Sequence, residues 1–174
     1  MDRKILFMLI SFAAAIAQAA NSTPNGFTDN YDEALAEAGK SGKLVYACFS
    51  GSDWCGWCKR LDKEVFSKEK FLKGVKDDFV LLYVDSPSDK ELLSERAKEA
   101  NPKLVEKYGI QGFPTALILD AEGKIVAKTG YRQGGPAKYV KHLKALKKNG
   151  PEIMKITEEI EALYKRLEAL EKGE

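Results

Sequence analysis

The sequence predicts an α/β fold: a mixed sheet of four strands, with room for a fifth, and helices on both faces. Three observations carry this. Two short, nearly continuous apolar runs, Leu44–Phe49 (LVYACF) and Phe79–Val84 (FVLLYV), have the length and the β-branched and aromatic content of strands buried on both faces. Segments with helical spacing alternate with them. Two further strands, Thr115–Leu119 and Ile125–Thr129, are joined through Ala121-Glu122-Gly123, a turn short enough for an antiparallel hairpin.

The elements follow in order. Asp2-Arg3-Lys4 gives a short positive n-region, and Ile5 to Ala17 is uncharged and mostly apolar. That run is shorter than the roughly 20 residues a spanning helix needs. Ala17-Gln18-Ala19 fits a small-residue cleavage site. Residues 1–19 therefore read as a signal peptide cut near Ala19, with a retained N-terminal anchor as the alternative. The remainder is expected to work outside the cytoplasm, periplasmic or secreted, where its thiols meet oxidising conditions. Residues 20–30 are polar, with Pro24 and Gly26, and read as a linker.

Tyr31–Lys40 carries Tyr31, Ala34, Leu35 and Ala38 at helical spacing, and Gly39 and Gly42 are the stop signals. After the first strand, Ser50-Gly51-Ser52-Asp53 turns the chain into a helix from about Trp54-Cys55, with Leu61, Val65 and Phe66 on one side. Ser67 reads as the cap of a further turn through Phe71 and Val75. Lys90–Ala100 reads as a charged helical insert. Asn101-Pro102 reads as a new N-cap with Pro at the first helical position, and Gly109 as its stop. Gly134-Gly135-Pro136 leads into a helix over about 137–148, and Asn149-Gly150-Pro151 breaks it. This defines a domain over 31–149. Residues 150–174 form an amphipathic helix with Ile153, Ile156, Ile160, Leu163, Leu167 and Leu170 at alternating spacings of three and four. That heptad-like seam packs back on its own domain or pairs with a second protomer in a homodimer.

Composition narrows the function. A chain of 174 residues, 44% hydrophobic, builds a core of ordinary size. Lys+Arg 28 against Asp+Glu 26 leaves a net charge of +2, too balanced for a nucleic-acid partner. The 3 Cys cannot form a disulfide-dense scaffold, and the single histidine leaves little for a His-rich metal site.

Cys55-Gly56-Trp57-Cys58 is where chemistry concentrates. The spacing sets two thiols within one helical turn. Cys55 sits where the unpaired N–H groups and dipole of a helix start stabilise a thiolate, the reactive form. Cys58, one turn deeper, suits the resolving role. Lys59 and Arg60 add positive charge, and Trp54 and Trp57 add flat apolar surface for a substrate peptide. Half of a zinc site is a weak alternative, since only Cys48 and His142 remain as soft ligands and neither is placed to complete it. A purely structural disulfide closing so short a loop would add little stability. A Cys–His protease would need His142, which reads as a solvent-facing helix residue. Gly112-Phe113-Pro114-Thr115 places a proline directly before a strand, where an X–Pro bond tolerates cis as well as trans. In the cis form it would leave the Phe113 backbone free to pair with an extended substrate.

Trp54-Cys55-Gly56-Trp57-Cys58-Lys59 after a buried strand, with Gly109-Ile110-Gln111-Gly112-Phe113-Pro114-Thr115 before the hairpin, resembles the thioredoxin superfamily over about Tyr31 to Leu146. Ser52-Asp53-Trp54-Cys55 and Lys63-Glu64-Val65-Phe66 are similar to its secreted members, among them the C-terminal domain of the transmembrane disulfide-interchange reductase. The resemblance implies a thioredoxin fold, Cys55 as nucleophile, Cys58 as resolving thiol, and Pro114 as the cis-proline of a substrate groove with Trp54, Gly56, Trp57 and Phe113. Many relatives carry a buried Asp on the first central strand. That position is Cys48 here, which reads as an apolar filler or a third redox thiol.

The function expected is an extracytoplasmic protein thiol–disulfide oxidoreductase working through a mixed disulfide, a reductase rather than an oxidase. It needs no cofactor beyond the cysteine pair, and as a reductase it needs a membrane electron donor. The alternatives are a non-catalytic binding or assembly module on the same fold, and a dimeric disulfide isomerase.

Overall fold

A computed structural model describes residues 22–172. The signal peptide expected over 1–19 and its cleavage near Ala19 lie outside the described residues.

The chain runs α1 (Tyr31–Ser41), β1 (Leu44–Ser50), α2 (Gly56–Leu61), α3 (Glu69–Val75), β2 (Phe79–Asp85), α4 (Glu95–Lys107), β3 (Thr115–Leu119), β4 (Ile125–Gly130) and α5 (Gly135–Lys172). The sheet order is β2-β1-β3-β4. β1 pairs parallel with β2 and antiparallel with β3, and β4 closes the hairpin. The two central strands are covered on both faces, which is why β1 reads as an unbroken apolar run. The period of two divides its side chains. Val45, Ala47 and Phe49 join Leu82, Val84, Leu117 and Leu119 in one core. Tyr46 and Cys48 join Leu61, Phe66, Phe71, Tyr83, Ile118 and Tyr139 in the other.

Where a fifth strand would lie, Thr28 makes a single parallel bridge to Leu82 at the β2 edge. Residues 22–30 are therefore docked rather than hanging as a linker: Phe27 packs into the aromatic core, 4.8 Å from the Phe66 ring. Asn30 caps α1 by accepting the Glu33 N–H, and Gly42 ends the helix at φ +68°.

Four local expectations fail, and packing decides each. A π turn, Asp62–Phe66, follows α2 directly, and Ser67 closes it instead of capping the next helix. The Ser67 hydroxyl donates back to the Lys63 carbonyl, and α3 starts after Lys68 without a side-chain cap. Lys90–Leu92 form a separate 3₁₀ turn, and the rest of the insert runs into the helix after it as one element, α4, capped by Ser94 through the Ala97 N–H. Pro102 lies inside it. Asn101 is buried, and its Nδ2 donates to the Asp85 carbonyl 2.8 Å away, so it ties α4 to the end of β2 rather than starting a helix. α5 runs through Asn149-Gly150-Pro151 unbroken. Gly150 is buried there, and a Cβ would stand 2.8 Å from the Val126 carbonyl oxygen, so this glycine lets α5 cross β4 closely. Finally, His142 is half-buried, not solvent-facing, with Nε2 2.9 Å from the Thr129 hydroxyl, and burial lowers its pKa.

Candidate active site

The cysteine pair sits where β1 leaves the sheet and α2 begins. The Cys55 N–H donates to the Gly51 carbonyl at 2.8 Å, closing the turn that lifts the chain off β1. Cys55 is the N-cap of α2, and its sulfur accepts the Cys58 N–H at 3.2 Å. The two cysteines form a disulfide with Cα atoms 5.2 Å apart, an ordinary span for the bond. Both are nearly covered, Cys55 at 6% and Cys58 at 3% exposure, while Trp54 and Trp57 beside them are 51% and 56% exposed. The cysteines are thus covered while the two indoles beside them stay open to solvent.

Polar ties hold the turn. Asp53 accepts the N–H groups of Asp89 at 2.9 Å and Ser88 at 3.0 Å, and these bonds hold its carboxyl below the usual range. Lys59 Nζ donates to the Asp53 carbonyl at 2.7 Å, which ties α2 back to the turn. Buried Asp85 accepts from the Ser52 backbone and hydroxyl. A Cβ at Gly51 would collide with the Trp54 indole, which folds back over it and donates Nε1–H to the Ser86 carbonyl at 2.9 Å.

The Phe113–Pro114 peptide bond is cis. Phe113 meets Trp54 edge to face with ring centroids 5.5 Å apart, which brings the proline loop and the cysteine turn into one wall. The other wall joins Trp57 and Arg60 to Tyr131 and Glu64. Tyr131, one residue past β4, lies 5.2 Å from the Trp57 ring. The Arg60 guanidinium stands 5.5 Å from both rings. Glu64 joins them: Oε1 accepts from Arg60 Nε and Oε2 from the Tyr131 hydroxyl, each at 2.7 Å. The Tyr131 hydroxyl and then Arg60 lower the Glu64 pKa. Next to Tyr131, Gly130 lets the end of β4 lie close to the proline loop, since a Cβ there would be 2.9 Å from the Pro114 carbonyl oxygen. No sequence pattern marks Tyr131. Only the backbone contact across the hairpin brings it to the site.

Beneath the pair, Cys48 is a free, fully buried thiol, and burial pushes its pKa up strongly, which keeps it neutral. Tyr46 and Tyr139 lie close by, their hydroxyls 2.8 Å apart, and Tyr139 donates on to the Gly130 carbonyl at 3.0 Å. A carboxyl reaches this region from another direction. Asp62, whose N–H donates to the Cys58 carbonyl one turn back, is half-buried, and burial raises its pKa against a smaller opposing effect of Lys68.

The structure therefore brings Cys55, Cys58, Trp54, Gly56, Trp57, Phe113 and Pro114 together and leaves Cys48 below them in the core. Among the described residues no group of three or more His, Cys, Asp and Glu side chains is arranged to hold a metal ion. No described helix is long and apolar enough to cross a membrane.

Comparison with known proteins agrees with this geometry. The thioredoxin-like domain family matches residues 31–160. The disulfide bond reductase DsbH of Chlamydia pneumoniae is 32% identical over 117 residues, which is 67% of this chain and 70% of that protein. The solved structure of DsbH oxidoreductase superposes with a TM-score of 0.64 at 30% identity, covering 72% of this chain and 90% of that one. A thioredoxin from Thermus thermophilus shares the fold, with a TM-score of 0.52 at 22% identity over 69% of this chain and 85% of that one. The chain belongs to the thioredoxin-like domain family and is a thiol–disulfide oxidoreductase.

Proposed function

We propose that this chain is an extracytoplasmic reductase of protein disulfides. The observation that carries the reading is the Cys55–Cys58 disulfide at the start of α2, flanked by exposed Trp54 and Trp57, with Trp54 against Phe113 of the cis Pro114 loop. The likeness to a disulfide bond reductase supports the direction of electron flow.

In the reduced form, the Cys58 N–H and the N-terminal amides of α2 stabilise a Cys55 thiolate. That thiolate attacks one sulfur of a substrate disulfide and expels the other as a thiolate, giving a mixed disulfide. Cys58, deprotonated in its turn, attacks the Cys55 sulfur, forms the internal disulfide and releases the second substrate thiol. Two electrons pass from the cysteine pair to the substrate, with no metal or nucleotide in the step. Trp54 and Phe113 on one side and Trp57 on the other clasp the substrate chain, and the Gly56 and Pro114 backbone borders it. The product is the oxidised pair, so a thiol donor must re-reduce it. Outside the cytoplasm that donor is a membrane protein, because the soluble cytosolic reductants do not reach it.

Equilibration of the pair against a dithiothreitol or glutathione series tests the direction. A potential toward the thioredoxin end, about −270 mV, is expected. A potential near about −120 mV, the strongly oxidising end, would overturn the reductase reading.

A further inference from the structure

We infer that two copies of this chain pair through the C-terminal half of α5, with the helices antiparallel. α5 has 38 residues and is about 57 Å long. Its packing on the domain reaches Gly150. Beyond that point Ile156, Ile160, Leu163, Leu167 and Leu170 are 47–72% exposed. With Ile153 they occupy a and d positions of three successive heptads. A lone helix carrying such a stripe is marginal in water, and a continuous apolar stripe rimmed by charge marks an interaction surface.

Two features select a second copy as the occupant and set its direction. The seam reads Ile-Ile-Ile-Leu-Leu-Leu. In an antiparallel pair the layers are Ile153 with Leu170, Ile156 with Leu167 and Ile160 with Leu163, so every layer meets one isoleucine with one leucine. A parallel pair would stack Ile156 on itself at a d position, which favours higher oligomers. Charge agrees. Residues 151–162 hold Glu152, Glu158, Glu159 and Glu161 against Lys155, net −3, while residues 163–174 hold Lys165, Arg166 and Lys172 against Glu168, Glu171 and Glu174, net 0. Antiparallel pairing lays the acidic half against the balanced half, which holds three of the segment's four basic residues, and sets Glu159 opposite Arg166 of the second copy. Parallel pairing lays −3 against −3. The same acidic half disfavours an anionic membrane surface as the occupant.

The test is sedimentation equilibrium of protein expressed from the full sequence, beside Leu163→Lys. The expected result is a concentration-dependent dimer for the parent and a monomer for the variant, with equal disulfide reduction per chain in both. That equality separates failure of the pairing from failure of the reductase reading. Direction is read in a Cys55→Ser/Cys58→Ser background under mild oxidant. Ile160→Cys mixed with Leu163→Cys should cross-link, and neither should cross-link alone. A parent that stays monomeric at all concentrations would overturn the pairing. Binding of the monomer to anionic vesicles would overturn the choice of occupant. Cross-linking of Ile160→Cys with itself would overturn the antiparallel direction.

Discussion

Gly130→Ala should disturb the site without touching a cysteine. The glycine is the last residue of β4, and the Cβ of an alanine would lie 2.9 Å from the Pro114 carbonyl oxygen, where ordinary contact begins at 3.4 Å. The neighbour is backbone, so the cis-proline loop must yield by about 0.5 Å. Overpacking of this kind costs about 1–3 kcal/mol. At about 2–4 °C per kcal/mol for a domain of this size, the melting temperature should fall by about 2–12 °C. A 1 Å misplacement of reacting groups can cost about 100-fold in rate, so half of that predicts about a tenfold fall in kcat/KM for a protein disulfide. The potential of the pair should hold, because neither sulfur is touched. Gly112→Ala in the same loop is the control: a Cβ there meets nothing within 4 Å. Thermal unfolding and steady-state disulfide reduction read both variants. A Gly130→Ala protein that melts and turns over like its parent would refute the argument that Gly130 sets the loop against the cysteines.

Two further outcomes follow from the same contacts. Burial raises the Asp62 pKa in the folded state, so its carboxylate costs stability at neutral pH, and that cost disappears as pH falls below the ordinary carboxyl value of 3.8. Asp62→Asn should therefore melt higher than the parent at pH 7 and lose its advantage toward pH 4, and a variant less stable at pH 7 would contradict this. Gly150→Ala should loosen α5 from β4, because a Cβ 2.8 Å from the Val126 carbonyl oxygen outweighs the gain of about 1 kcal/mol from a better helix former. A net loss of up to about 2 kcal/mol in denaturant unfolding is expected, and a gain would refute the close crossing.

What could be read from the sequence was what is local. β1 and β2 announce themselves as apolar runs because both faces of each are covered. The cysteine pair is visible because both sulfurs belong to one turn. The proline loop is visible because its motif is contiguous. The misreadings share one cause. Asn101-Pro102 and Gly150-Pro151 look like punctuation, yet Asn101 is used on β2 and Gly150 against β4. Tertiary contact overrode the local signal in both. The Tyr131–Trp57–Arg60–Glu64 wall was illegible for the same reason, since it joins two segments nearly seventy residues apart through the Tyr131–Glu64 bond. Asp62, one turn past Cys58, carries no signal in the sequence because an aspartate followed by Lys63 reads as an ordinary solvated helix surface.

The most direct test of the central claim is trapping the intermediate. Reduced Cys58→Ser and Cys55→Ser proteins would each be mixed with a disulfide-bonded protein substrate, quenched in acid and weighed by mass spectrometry. A mixed disulfide should accumulate on Cys55 in Cys58→Ser, where the resolving step is gone, and none should form in Cys55→Ser, where the nucleophile is gone. An adduct on Cys58 in the Cys55→Ser protein, or none in either, would contradict Cys55 as the attacking thiol.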